Sequence, residues 1–148
     1  YLCHPNHDVR KLSRTGHTSW TLATVSFTGS PSLPISGADN RPSCVSFFEQ
    51  RLVFANTNNN PQTLWFSKAG DYENFTTGTA AADAMIYTIA SNQVNAIQYL
   101  KAVRTLVVGT TGGEFTVSAD GTDADNLNKA IEAFSGYPET GPLPIHNP

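Results

Sequence analysis

Residues 51–56 read RLVFAN, and residues 105–110 read TLVVGT. Leu52 and Leu106 are 54 residues apart, and each lies in a short apolar run of the kind that forms a buried strand. A segment that recurs at a period of roughly 20–50 residues is the signature of a repeat architecture, in which each repeat is one supersecondary unit. This pair of segments therefore predicts a chain built from repeated groups of antiparallel strands.

A second signal recurs at nearly the same spacing and combines a serine with a glycine three residues later. Its first two copies are 54 residues apart, and its last two are about 51 residues apart. The second interval is shorter because the connector TGG at 111–113 is shorter than the connector TNNNPQ at 57–62. We expect a turn at each copy, with positive φ at the glycines of the first two. The three copies are Ser13 and Gly16, Ser67 and Gly70, and Ser118 and Gly121.

Large aromatic residues accompany the first two copies of this signal. Trp20, Trp65 and Phe75 lie beside the serine and glycine positions, and we expect them to form the core of the repeats. Alternating and β-branched segments around them predict strands, and Gly112 with Gly113 predicts a hairpin turn. The expected strands are 43–48, 52–55, 63–67, 73–76, 85–89, 96–100, 105–109 and 114–118.

These features predict an all-β fold for residues 1–121, made of antiparallel β-meander repeats of about 50 residues that resemble the blades of a β-propeller. Three such repeats are fewer than the four to eight blades that typically close a ring. We therefore expect the remaining blades to lie outside this chain, or a partner to cover the open edge. Residues 122–135 have apolar residues at helix spacing and predict one short helix, and the proline-rich residues 136–148 predict an extended tail.

The composition excludes several classes of protein. Hydrophobic residues make up 39% and charged residues 14% of 148 residues, so the chain is not disordered. The net charge of −3 does not indicate the basic surface with which proteins bind nucleic acid. No apolar run is long enough for a membrane helix. The chain begins without Met or a signal peptide, so we expect an internal piece of a longer protein or the ordered part of one. Cys3 and Cys44 are expected to be buried free thiols.

The chemistry-bearing residues form no complete catalytic or metal site. His4, His7 and His17 lack the further ligands that a zinc site needs, so we expect loop histidines. The sequence DGTDAD at 120–125 lacks the glycine position and the final glutamate of a calcium loop, and we expect it to cap the helix. No nucleophile elbow, phosphate loop or paired carboxylates occur, so no catalytic residue and no cofactor is predicted.

The sequence resembles the tail nozzle proteins of short-tailed bacteriophages, also called tail tubular protein B. The resemblance covers about residues 1–120, with the pieces in the family's order, and residues 121–148 have no counterpart in it. Family chains are several times longer, which implies that this chain is a segment. The matching pieces are 41–54, 61–68, 70–75, 89–97 and 105–115.

The resemblance implies a structural protein of the virion with propeller-like β domains, assembled as a hexameric tube below the portal and adaptor. Such a tube carries the genome out at infection without binding DNA specifically, and it supports the tail fibres. An alternative is a propeller-type carbohydrate-binding module or hydrolase, for which Trp20, Trp65, Tyr72 and Phe75 would form a sugar platform. A general scaffold for protein partners is a third possibility.

Overall fold

A computed structural model describes residues 1–29 and 37–118. These residues form twelve β-strands and no helix, and every sheet but one two-stranded pair is antiparallel, so the expectation of an all-β fold is confirmed. The predicted helix at 122–135, the tail at 136–148 and Gly121 lie outside the described residues.

Three antiparallel sheets account for ten of the strands. The first sheet has the order β1-β2-β3, the second β5-β6-β7-β9 and the third β10-β11-β12, while β4 and β8 form a short parallel pair. The strands are β1 (Leu2–His4), β2 (His7–Arg14), β3 (Trp20–Thr24), β4 (Thr28–Gly29), β5 (Cys44–Phe48), β6 (Arg51–Ala55), β7 (Thr63–Phe66), β8 (Asn74–Phe75), β9 (Met85–Thr88), β10 (Ile97–Ala102), β11 (Leu106–Thr110) and β12 (Gly113–Val117).

The strands expected between residues 43 and 118 all form, each within two residues of its predicted ends. The hairpin between β5 and β6 turns at Glu49 and Gln50, whose φ angles of 47° and 58° are both positive. Two successive positive φ angles are the geometry of the tight hairpin turn that follows the twist of the flanking strands.

The second sheet is the centre of the structure because both of its faces are covered. All residues of β6 and β7 are buried, and their side chains alternate between two clusters. One cluster joins the second sheet to the third and contains Val53, Leu64 and Phe66 together with Leu106 and Val108. A continuous apolar run in the sequence, rather than an alternating one, is what a strand buried on both faces requires.

The other cluster joins the second sheet to the first. Leu52, Phe54 and Trp65 meet Val9 of β2 there, and Phe75 is fully buried in the same cluster. Phe27, which follows the first sheet, packs edge-on against Phe54 with ring centroids 5.6 Å apart. The three sheets therefore stack face to face in chain order.

The repeat found in the sequence corresponds to a repeat of strands. β5, β6 and β7 recur as β10, β11 and β12, and Leu52 and Leu106 are both fully buried on the face that meets the preceding sheet. Ser67 lies opposite Leu52, because the backbone N–H of Ser67 donates to the carbonyl oxygen of Leu52 (2.9 Å). In the third sheet, the residue opposite Leu106 is Val117. Val117, and not Ser118, therefore occupies the position equivalent to Ser67.

Candidate functional site

The outer face of the first sheet is the strongest candidate for a functional surface. Residues of β2 with even numbers point away from the second sheet, since Val9 is buried on the opposite face. The side chains of Leu12, Trp20 and Leu22 on this outer face are 52%, 58% and 51% exposed. The leading face is defined here by Arg10, Leu12, Arg14, Trp20 and Leu22.

Cross-strand pairing fixes the positions of these side chains. Leu12 lies directly opposite Leu22, and Arg14 lies directly opposite Trp20. The guanidinium carbon of Arg14 is 5.8 Å from the centre of the Trp20 ring, which is the distance of a cation–π contact. Arg14 also donates from Nε to the carbonyl oxygen of Gly16 (3.0 Å) and from a terminal nitrogen to Nδ1 of His17 (3.2 Å). These contacts hold the Arg14 side chain beside the exposed apolar residues.

The opposite end of the stack is the outer face of the third sheet. The ring of Tyr99 lies over Gly109, so a Cβ atom at Gly109 would collide with the ring carbons of Tyr99. The Tyr99 hydroxyl donates to Oε1 of Glu114 (2.6 Å), and this hydrogen bond raises the pKa of Tyr99 above its ordinary value. Lys101 and Val107 pair with each other beside them. The trailing face is defined here by Tyr99, Lys101, Val107, Glu114 and Thr116.

A shallow cleft near the β1–β2 turn brings two of the predicted loop histidines together. The rings of His4 and His7 lie opposite each other with centroids 5.3 Å apart, and Cys3, Asp8 and Arg10 also line the cleft. Nδ1 of His4 accepts a hydrogen bond from the backbone N–H of Asn6 (3.1 Å). Within the described part of the chain, no group of three or more His, Cys, Asp or Glu side chains is arranged to hold a metal ion.

The two cysteines lie between the sheets as free thiols. Cys44 is buried, and Cys3 is half-buried rather than buried as expected. Burial, and secondarily the neighbouring Cys44, raises the pKa of Cys3 to about 12, and burial also raises the pKa of Cys44. Thiols with raised pKa values hold little thiolate at neutral pH, so they are poor nucleophiles.

The aromatic residues expected in the core divide into two groups. Trp65 and Phe75 are buried, with 2% and 0% of their surface exposed. The expectation that Trp20 is a core residue is wrong for the described residues, because its sheet has no neighbour on that side. Tyr72 is also partly exposed, and its ring packs edge-on against Phe47.

The predicted turn residues occupy different environments. Gly70 has φ of +75° in the turn after β7, as expected, whereas Gly16 lies in the β2–β3 turn without a positive φ. Ser67 directly follows β7, and its hydroxyl accepts from the backbone N–H of Leu52 (2.9 Å). Ser13 lies inside β2 opposite Thr21, so its assignment to a turn is wrong. Ser118 directly follows β12.

Sequence reasoning missed Arg51, the most heavily hydrogen-bonded cation of the described residues. Its side chain is buried, and its guanidinium donates to the carbonyl oxygens of Ser67 (2.6 Å), Asp83 (2.7 Å) and Ala81 (2.6 Å). Burial lowers the pKa of Arg51. No sequence signal identifies such a residue, because its partners are backbone atoms that any residue carries.

Two comparisons with known proteins found no match. The chain matches no protein-family model, and no curated protein is significantly similar to it. Among the described residues, no helix is long and apolar enough to cross a membrane.

Proposed function

We propose that this protein is a structural component of the tail of a short-tailed bacteriophage, acting by assembly and not by turnover. The observation that carries the proposal is the leading face. Leu12, Trp20 and Leu22 are half-exposed at one end of the described stack of sheets. Large apolar side chains of the same kind are buried in both contacts between neighbouring sheets. Contiguous apolar surface of this kind is typical of an interaction site.

The proposal includes a finer description of the fold. The three stacked sheets are consecutive blades of a propeller-like domain, and further blades come from chain beyond the described residues or from neighbouring copies. The recurrence of β5-β6-β7 as β10-β11-β12 at about 54 residues supports this description, as does the burial of the second sheet on both faces.

The resemblance to tail nozzle proteins gives the assembly its biological setting. In this setting the copies form a hexameric ring through which DNA leaves the particle, next to an adaptor and tail fibres. The net charge of −3 supports passage of DNA without tight binding, because affinity for duplex DNA comes largely from basic residues on phosphates.

The carbohydrate-binding alternative has less support in the geometry. Trp65 and Phe75 are buried, so they cannot stack on a sugar, and Trp20 and Tyr72 belong to different parts of the fold. The Arg14 guanidinium also lies over the Trp20 ring, on which a sugar would have to stack. A glycan-binding screen of the purified chain is expected to give no saturable binding.

The direct test is the presence of the protein in virus particles. Antibodies raised against the purified chain are expected to recognise gradient-purified short-tailed particles from the source of the sequence, with immunogold label at the tail tip in several copies. The control is the same antibody after incubation with an excess of the purified chain, which is expected to remove the label. Duplex DNA is expected to bind no tighter than the roughly 10⁻⁴–10⁻⁶ M of non-specific binding. Absence from the particles together with tight glycan binding would overturn the proposal.

A further inference from the structure

We infer that an arginine-bearing segment of another protein docks at the end of the second sheet where β5 turns into β6. The docking surface, called the turn patch here, lies between the tip of the β5–β6 hairpin and the turn that follows β7. The backbone N–H of Gly70 joins the two by donating to the carbonyl oxygen of Gln50 (2.8 Å). Such docking does not depend on a place in a virus tail. The exposed side chains of the turn patch are those of Phe47, Glu49, Asp71 and Tyr72.

Two exposed aromatic rings form the centre of the turn patch. Phe47 is 48% and Tyr72 is 39% exposed, and their rings pack edge-on with centroids 5.1 Å apart. In an edge-on pair one ring presents its edge to the face of the other, which leaves ring faces free to stack on a ligand. A guanidinium is the cation that stacks flat on such a face, as Arg14 does on Trp20 within this chain.

The charge of the turn patch is negative because the neighbouring cations have other partners. Glu49 and Asp71 form no ion pair with any residue that the structure describes. Lys68, in the same turn as Asp71, pairs instead with Asp83 (3.1 Å), and Arg51 donates to backbone carbonyl oxygens. Two carboxylates beside two aromatic rings are complementary to an arginine, which donates to a carboxylate while its plane lies on a ring.

The tip of the hairpin has a backbone conformation that is unfavourable for its own residues. Glu49 and Gln50 have φ angles of 47° and 58°, which in a two-residue hairpin turn favour asparagine and glycine. Their equivalents in the third sheet, 54 residues later, are Val103 and Arg104, and neither has a positive φ. The repeat therefore does not require the strained turn. Strained backbone of this kind is concentrated at binding sites.

The position of the turn patch distinguishes a separate protein from further sheets of the same stack. The sheets stack face to face, whereas the turn patch lies at the ends of β5 and β7. A further sheet on either side of the stack would cover an outer face and leave the turns at the strand ends open. The third sheet also has no copy of the turn patch, since Lys101 stands in place of Phe47 and Arg104 in place of Gln50.

Peptide binding followed by nuclear magnetic resonance tests the inference. The probe is a capped hexapeptide of alternating glycine and arginine, and the same peptide with lysine is the comparison. The arginine peptide is expected to bind saturably to the isotope-labelled chain and to shift the amide signals of residues 47–50 and 70–72 more than those of residues 101–104. The lysine peptide is expected to bind at least about threefold more weakly, because an ammonium group cannot stack flat on a ring.

A double variant, Glu49→Gln with Asp71→Asn, removes both carboxylates of the turn patch. It is expected to weaken binding of the arginine peptide about threefold or more, the effect of losing two exposed charge pairs. The matched control is Asp39→Asn with Glu114→Gln, which changes the net charge equally at positions outside the turn patch. The control is expected to bind the peptide like the wild type. Melting temperatures establish that both variants are folded.

A third variant separates the rings from the charges. Tyr72→Leu keeps an apolar side chain at an exposed position, so the fold is expected to tolerate it. The variant is expected to lose the preference for the arginine peptide over the lysine peptide, because that preference comes from stacking on a ring. A change in net charge alone would not alter this ratio.

Three outcomes on the chain would overturn the inference: no saturable binding of the arginine peptide, equal weakening by the double variant and its control, or signal shifts centred outside the turn patch. A fourth concerns any longer protein that contains this chain. A maleimide is expected to label Gln50→Cys equally in the chain and in the longer protein, with the wild type as the control for Cys3 and Cys44. Protection of this cysteine in the longer protein would show that further chain covers the turn patch.

Discussion

Gly16 and Gly70 are 54 residues apart in equivalent stretches of sequence, yet only one of them needs to be glycine. Gly70 is the third residue of the turn that begins at Lys68, where the backbone N–H of Asp71 donates to the Lys68 carbonyl oxygen (3.3 Å). Its φ of +75° is the left-handed conformation that side chains with a Cβ atom disfavour. The β2–β3 turn is closed instead by the backbone of Thr15 and Ser19 (2.9 Å), and Gly16 keeps an ordinary φ.

We predict that Gly70→Ala lowers the free energy of unfolding by about 1–2 kcal/mol, the cost of the left-handed conformation. A Cβ atom at Gly70 would meet nothing within 4 Å, so the cost comes from the backbone alone. Gly16→Ala is the matched control, since its Cβ atom would make an ordinary contact of 3.4 Å with Cβ of Ser19. Urea denaturation measures both, and equal effects of the two substitutions would contradict the assignment.

Single residues also show why the sequence predicts burial incompletely. Trp65 and Trp20 accompany the same repeated signal, but Trp65 lies between two sheets and Trp20 lies on a face that no described residue covers. A tryptophan in a strand is equally apolar in either position, so the pattern alone cannot distinguish them. Only the number of neighbouring sheets decides which one is buried.

At the scale of elements, Arg51 connects the start of β6 to two other segments. Its guanidinium donates to the carbonyl oxygen of Ser67, directly after β7, and to two carbonyl oxygens in the loop before β9. Asp83 of that loop also forms an ion pair with Lys68 (3.1 Å). One buried cation thus donates to three backbone acceptors, of which the carbonyl oxygen of Ser67 is itself buried and has to be satisfied inside the protein.

We predict that Arg51→Met destabilises the fold by about 3 kcal/mol or more, because the carbonyl oxygens lose their donors while the apolar volume is retained. Arg104→Met, a substitution of an exposed arginine, is expected to change stability by less than about 0.5 kcal/mol. Thermal and urea unfolding followed by circular dichroism give both values. An Arg51→Met variant as stable as the wild type would show that these hydrogen bonds contribute no net stability.

The strands of the second and third sheets could be predicted because their sequences are apolar, β-branched and bounded by turn residues. The order of the sheets could not, since it depends on which faces meet. The register of the third repeat was also beyond the sequence: the serine signal aligns Ser118 with Ser67, while the strand pairing places Val117 there. The short parallel pairing of β4 with β8 has no sequence signal, because two residues carry no periodicity.

At the scale of the whole molecule, three carboxylates with lowered pKa values lie in ion pairs that connect distant segments. Hydrogen bonds from cationic side chains are the main cause in each case, and Tyr1 adds a second hydrogen bond to Glu73. The pairs are Asp8 with Arg41 (2.8 Å), Glu73 with Lys11 (2.6 Å), and Asp83 with Lys68 (3.1 Å).

We predict that the melting temperature is steady above about pH 5 and falls as the pH drops below about 4, where carboxylates of the unfolded chain titrate. A carboxylate whose pKa is lower in the folded state stabilises the fold above its unfolded pKa and loses that contribution as the pH falls through its folded pKa. Glu73→Gln is expected to make this fall shallower. Because the pairs are partly exposed, the effect is small and 1 M salt should reduce it.

The burial of the second sheet on both faces has a consequence for hydrogen exchange. In a stack where each layer contacts only its neighbours, the outer layers can open while the rest stays intact, but the middle layer cannot open without separating from both. The amides of β6 and β7 therefore exchange only through unfolding of the whole stack, while those of β3 and β12 exchange through local fraying. We therefore expect hydrogen exchange to be slowest in the second sheet and faster in the first and third sheets.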